Sequence, residues 1–171
     1  LYQLTGQQVH ATDVTNASRT MLFNIHTLEW DADLLASLNI PRCLLPEVRP
    51  SSGLFGETDG AFFGDEIPIT CLIGDQSAAL FGQACFQPGM VKNTYGTGSF
   101  LLMQTGDQPI PPPPGLLTTV GWQRHGQQTQ YALEGSIFIT GAAIQWLRDG
   151  LGIIKNAAET AEIAQSIADT G

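Results

Sequence analysis

Positive charge is scarce in this sequence: 7 Lys and Arg stand against 16 Asp and Glu, a formal net charge of −9. A surface of that sign repels phosphate backbones and anionic headgroups, so nucleic acid and membrane surfaces are poor candidates as partners. Charge of either sign is thin, at 13% of residues against about 25% in ordinary soluble domains. Apolar runs are short, each broken by Gly, Pro or a charge before the roughly 20 residues a membrane span needs. Leu1-Tyr2-Gln3-Leu4 has neither a basic flank nor an initiator Met, so no signal peptide is visible and the start reads as cut. Three cysteines, Cys43, Cys71 and Cys85, form an odd set without CxxC spacing. That argues against a disulfide framework or a zinc site and fits a reducing cytoplasm.

What remains is globular in character: 43% of the 171 residues are hydrophobic, a length of one ordinary domain or pieces of two. Asp31 to Leu38 carries acidic residues in its first turn and Pro41 just beyond, which predicts a short helix packed by Leu34, Leu35 and Leu38. Prolines and glycines over 46–56, then four acidic residues between Glu57 and Glu66, predict an exposed stretch. Ile67, Ile69, Cys71 and Ile73 alternate with Pro68, Thr70 and Leu72, which predicts a strand, a turn at Gly74-Asp75 and a helix ending near Cys85. Two hairpins follow, one across Gly96-Thr97-Gly98 and one across His125-Gly126. Between them, the five prolines of Gly106 to Gly115 favour an extended surface loop, with a proline-recognition ligand as the other reading. Helices are expected over Gly135 to Arg148 and from Asn156, where Glu159 can complete a capping box, and Asp169-Thr170-Gly171 reads as a C-cap.

Three constellations could carry chemistry. Asp75 stands at the C-terminal edge of a strand read as apolar on both faces, where open α/β sheets bind ligands. The plainer reading makes it a helix cap, with Gln76 a first-turn residue. Asn93-Thr94-Tyr95-Gly96-Thr97-Gly98 brackets a hydroxyl with glycines, which lets backbone amides approach a phosphate closely. It is neither a Walker motif nor a dinucleotide fingerprint, and a plain hairpin turn explains it as well. Glu134-Gly135 and Gly141-Ala142-Ala143 supply small residues against which either a flat nucleoside or another helix could pack. His10, His26 and His125 are scattered, without carboxylate or cysteine at metal spacing, and no metal ligand is assigned.

Together with Asp13-Val14-Thr15-Asn16-Ala17-Ser18-Arg19-Thr20-Met21-Leu22, Gly74 to Gln83, Lys92 to Gly98, Tyr131 to Gly135 and Ile144 to Asp149, these segments resemble the glycerol kinases of the FGGY carbohydrate kinase family, in order and spacing along essentially the whole chain. The resemblance implies an α/β, actin-like (ribonuclease-H-like) ATPase fold, present in part: 1–84 as the end of the first, substrate-side domain and 85–171 as the start of the second, nucleotide-side domain. It implies ATP-dependent phosphorylation of glycerol to sn-glycerol 3-phosphate, with a kinase for another small polyol or ketose, or a non-enzymatic actin-like nucleotide switch, as alternatives.

Asp75 matches the family's catalytic base and glycerol ligand, Gln76 a second glycerol contact and Phe100 an apolar wall. Thr97, with Gly96 and Gly98 beside it, Gly141 and Gln145 match nucleotide contacts. ATP and Mg2+ are the implied cofactors, the metal ligands mostly lying outside this chain, and a cytoplasmic homo-oligomer is implied for the full length. The family's phosphate-binding hairpin, magnesium-linked Asp and further glycerol ligands would precede Leu1, and the rest of the adenine site would follow Gly171. A fragment lacking them is expected to be inactive alone. One departure stands out: where relatives inhibited by fructose 1,6-bisphosphate carry an Arg in a glycine-rich loop, Gly60 to Glu66 places Glu66, with Phe62 and Phe63 expected to stiffen and fill the loop.

Overall fold

The computed structural model describes residues 1–169, and the C-cap expected at 169–171 lies mostly outside them. The chain divides into two compact units, Leu1–Lys92 with Leu102–Gly135, and Asn93–Leu101 with Ser136 onward.

In the first unit, β1 (Ala11–Asp13) runs into the one-turn helix α1 (Val14–Ala17) and pairs in parallel with β4 (Glu47–Arg49). Between them lie the short antiparallel pair β2 (Phe23–Asn24) and β3 (Glu29–Trp30), and α2 (Ala32–Ser37). Asp31 caps α2 by accepting from the Asp33 and Leu34 N–H groups, both at 3.1 Å. Of the three leucines expected to pack it, only Leu35 is buried, since Leu34 and the C-cap residue Leu38 are exposed. Leu35 joins Val14, Ala17, Phe23, Trp30, Val120 and Tyr131 in one core cluster. A second cluster joins Leu80, Cys85, Leu102, Trp122 and Ala132.

The stretch expected to be exposed is in part a strand. β5 (Ser52–Glu57) pairs antiparallel with β6 (Pro68–Cys71), and Ser51, Phe55 and Thr58 are buried. The short helix α3 (Gly60–Phe63) intervenes, capped by Asp59 and closed by Gly64 in the left-handed region, at φ 86°. Phe62 and Phe63 are exposed and do not fill the loop, since α3 buries none of its residues. β6 itself is mostly exposed and is paired only with β5 among the described residues, not buried on both faces as its composition predicts.

Beyond β6, α4 (Asp75–Gly82) packs on β9 (Leu117–Trp122). β9, β10 (Gln130–Ile137), β7 (Val91–Tyr95) and β8 (Ser99–Gly106) form a four-stranded sheet in the order β7-β8-β10-β9. Both expected hairpins are therefore present, and the proline loop 107–114 has no helix or strand. The helix expected from Gly135 starts later, because β10 continues to Ile137, and α5 spans Gly141–Asp149. The helix expected from Asn156 starts only at Glu159 (α6, Glu159–Ser166), behind the N-cap Ala158, which makes no side-chain cap bond. Asn156 Nδ2 donates to Glu159 Oε1 at 2.9 Å and the Glu159 N–H to Asn156 Oδ1 at 3.3 Å. The Glu159 carboxylate accepts the Lys155 N–H at 3.0 Å rather than that of Asn156, so the capping box is not completed. No helix of the described residues is long and apolar enough to cross a membrane.

Candidate functional site

In the first unit, a cavity of about 340 Å³ opens beside the start of α4, within the size range of small-molecule sites. Asp75 and Gln76 line it, together with Thr15, Asn16, Arg19 and Glu134. Gly74, not Asp75, is the N-cap of α4. Asp75 is the first helical residue, exposed, and its Oδ1 accepts the Gln76 N–H at 2.7 Å. An acidic side chain there is favoured by the positive end of the helix dipole, which supplies part of the reason for its place. The other part is Gly74, whose N–H donates to Thr15 Oγ1 at 2.8 Å. Asp75 is thus held by α4 and α1 rather than by the edge of a parallel sheet.

Gln76 is oriented from behind. The buried Lys92 of β7 donates its Nζ to Gln76 Oε1. An ammonium can only donate, so the amide turns its oxygen to Lys92 and keeps its NH2 group for the cavity it lines. Burial pushes the Lys92 ammonium below its ordinary range, while the nearby carboxylates of Glu134 and Asp75 pull it back up. Glu134, buried on β10, is gripped by both terminal nitrogens of Arg19, at 2.5 and 3.1 Å, a bidentate pair that frames the cavity. The site therefore offers a carboxylate acceptor, an amide donor and a fixed guanidinium, which suits a small polyhydroxylated acceptor better than an apolar ligand.

In the second unit, Gly96-Thr97-Gly98 forms the tip between β7 and β8 and packs on the start of α5. Gly96 O accepts from the Gly141 N–H at 3.0 Å and the Thr140 hydroxyl at 3.2 Å. Thr97 O accepts from the Thr140 and Ala142 N–H groups at 2.9 and 3.1 Å. A Cβ at Gly98 would lie 2.6 Å from Ile137 O, and one at Gly141 would overlap Gly96 O. Close packing thus demands glycine at both positions, and the Thr97 side chain is left exposed. Gln145 lies one turn beyond Gly141 on α5 and is exposed, and Phe100 is half-buried on β8. The structure gathers Asp75 and Gln76 in one unit and Gly96, Thr97, Gly98 and Gly141 in the other. Among the described residues no group of three or more His, Cys, Asp and Glu is placed to hold a metal ion.

Lys92, Arg19 and Thr15 carry no predicted role in the sequence, although each frames the cavity. The signal for Lys92 is a lysine on the inward side of an alternating strand; the pairing of Arg19 with Glu134, 115 residues away, leaves no local signal.

Comparison with known proteins bears on both units. The model of the FGGY family of carbohydrate kinases, N-terminal domain, matches residues 1–82, and that of the C-terminal domain matches 91–170. Glycerol kinase 2 of Thermotoga maritima is 63% identical over 171 residues, which cover 100% of this chain and 34% of that protein. The crystal structure of Plasmodium falciparum glycerol kinase with ADP superposes with a TM-score of 0.89 at 39% identity, covering 99% of this chain and 34% of that one. Ligand-bound xylulose kinase of Lactobacillus acidophilus, at 23% identity and a TM-score of 0.82 over 96% of this chain and 33% of that one, shares the fold. The chain spans about a third of the length of the curated relatives it matches.

Proposed function

Since the chain belongs to the FGGY family of carbohydrate kinases, with an actin-like ATPase fold spanning the junction of the family's two domains, we propose that it is part of an ATP-dependent glycerol kinase. The observation that carries the reading is the pairing of an exposed carboxylate, Asp75, with an amide, Gln76, whose NH2 is turned to the cavity by Lys92.

In this reading Gln76 donates to one hydroxyl oxygen of glycerol while Asp75 accepts the hydrogen of the primary hydroxyl that attacks. Phosphoryl transfer through a loose transition state rests on positioning and charge stabilisation, so Asp75 orients the nucleophile and takes its proton late. Phe100 supplies an apolar wall to the glycerol carbons. Thr97, exposed at the hairpin tip and flanked by Gly96 and Gly98, contacts the phosphates of the nucleotide, with Gly141 and Gln145 on its nucleoside side. ATP supplies the phosphoryl group. Mg2+ accompanies the nucleotide in the same reading, with its protein ligands mostly outside this chain. A cytoplasmic setting is part of the same reading, supported by free Cys43 and Cys71 at the surface.

The test is acceptor-dependent ADP release by the full-length protein. Release with glycerol, and not with ketopentoses, is expected. Release with a ketose alone would assign another branch of the family, and nucleotide binding with no acceptor-dependent release would make the protein a switch.

A further inference from the structure

The segment Asp13 to Arg19 is distinctive in sequence, yet only its last residue frames the proposed site by an ion pair. Asp13, at the end of β1, is fully buried. As N-cap of α1 it accepts the Thr15 and Asn16 N–H groups, both at 3.0 Å, and an ordinary cap would stop there. Here three more donors converge on the same carboxylate: the Thr15 hydroxyl, Asn16 Nδ2 and the Ser51 hydroxyl, each at 2.7 Å. Arg49, its register partner on β4, spends its guanidinium on Phe55 O and Glu47 instead. A buried carboxylate is costly unless it is hydrogen-bonded, and this one is met by five donors, so its position and theirs are fixed together.

One of the five leads outward. Gly74 N–H can only donate, so Thr15 Oγ1 accepts there at 2.8 Å and must direct its own proton to Asp13. Gly74 caps α4 without any side-chain cap bond, and its backbone is ordinary extended, with φ −66° and ψ 147°. Neither a special dihedral nor a conventional cap sets where this turn lies. The hydroxyl of Thr15 is the side chain that grips it, one residue before Asp75.

We propose that Asp13 and Thr15 are positioning residues for the acceptor site. Asp13 orients the Thr15 hydroxyl, Thr15 holds Gly74, and Gly74 sets Asp75. The relay as a catalytic device rests on the glycerol kinase reading, but its hydrogen bond can be tested without activity.

The experiment uses the full-length protein with Thr15→Val, Thr15→Ser, Asp13→Asn and Ser51→Ala. Ser51 shares Asp13 Oδ2 with Thr15 but does not touch Gly74, so it reports what damage to the hub alone does. Thr15→Val should lower kcat about 100-fold, the scale of an ångström-sized misplacement, with KM for ATP unchanged to within about twofold. Thr15→Ser should restore most of the loss, and Ser51→Ala should lower the melting temperature without a matching loss of kcat. If Thr15→Val does not fold, Asp13→Asn, which keeps the shape but misdirects the hydroxyl, should show the same loss of kcat. Independently of turnover, the Gly74 amide should exchange faster in Thr15→Val or Asp13→Asn than in Ser51→Ala. Unchanged Gly74 exchange would overturn the relay, as would kcat tracking melting temperature equally across all variants. If the wild type has no glycerol-dependent turnover while Gly74 exchange responds as stated, the kinase reading fails and the relay stands as a structural device.

Discussion

Replacing Gly98 by alanine isolates one contact. Gly98 does not occupy the left-handed region, so an alanine there meets no dihedral penalty. Its Cβ would lie 2.6 Å from Ile137 O, 2.9 Å from Phe138 O and 3.2 Å from Phe138 C. Ordinary contacts begin near 3.4 Å, so the hairpin tip or the end of β10 must yield by several tenths of an ångström, and both are backbone. Overpacking of this kind costs about 1–3 kcal/mol. Gly82, the last residue of α4, is the comparator: nothing lies within 4 Å of its virtual Cβ. Alanine there should be neutral or stabilise by up to about 1 kcal/mol, through helix propensity and a less flexible unfolded chain. Denaturant unfolding of both full-length variants, with matched m-values, measures the two signs. Gly98→Ala as stable as the wild type would refute the packing that forces glycine at the tip.

Lys92→Met should raise KM for glycerol roughly 2–12-fold, the equivalent of the ~0.5–1.5 kcal/mol carried by one neutral hydrogen bond, because Gln76 loses the partner that sets its amide. Because burial lowers the Lys92 pKa, the unfolded chain holds more protons than the folded one between that lowered value and 10.5. The stability difference between wild type and Lys92→Met should therefore move in favour of the wild type as pH rises toward 10.5 in urea titrations. Fructose 1,6-bisphosphate at millimolar concentration and constant ionic strength should leave turnover of the full-length protein unchanged, since Asp65 and Glu66 present exposed negative charge to an anion. Inhibition lost on replacing residues 60–66 would contradict this. The 171 residues alone, about a third of the length of the relatives they match, should release no ADP in response to glycerol, and release well above a buffer control would contradict the reading that residues outside this chain complete the site.

Local grammar made much of the molecule legible. Asp31 caps α2 as its spacing predicts, and both hairpins form at Gly96-Thr97-Gly98 and around His125-Gly126, whereas Asn156 and Glu159 bond to each other without capping α6. These depend on neighbours a few residues away. Leu34, Leu38 and β6 went the other way, because their apolar composition does not reveal which face meets another element. The break between β10 and α5 was equally hidden, since Gly135 and Ser136 read as small helix residues but extend the sheet. At the site, Asp75 and Gln76 could be singled out from their place between strand and helix. What holds them is not local: Lys92 reaches Gln76 over 16 residues, and Thr15 reaches Gly74 over 59.

The most direct test of the account is the turnover of full-length Asp75→Asn. The amide keeps the shape of the carboxylate at the cavity but cannot take up the hydroxyl proton, so kcat for glycerol should fall by about 10²–10⁴-fold. KM for glycerol should change far less, because Gln76 and the surrounding hydrogen bonds persist. Near-normal kcat in Asp75→Asn would return Asp75 to the role of a first-turn helix residue and contradict the assignment of the cavity as the acceptor site.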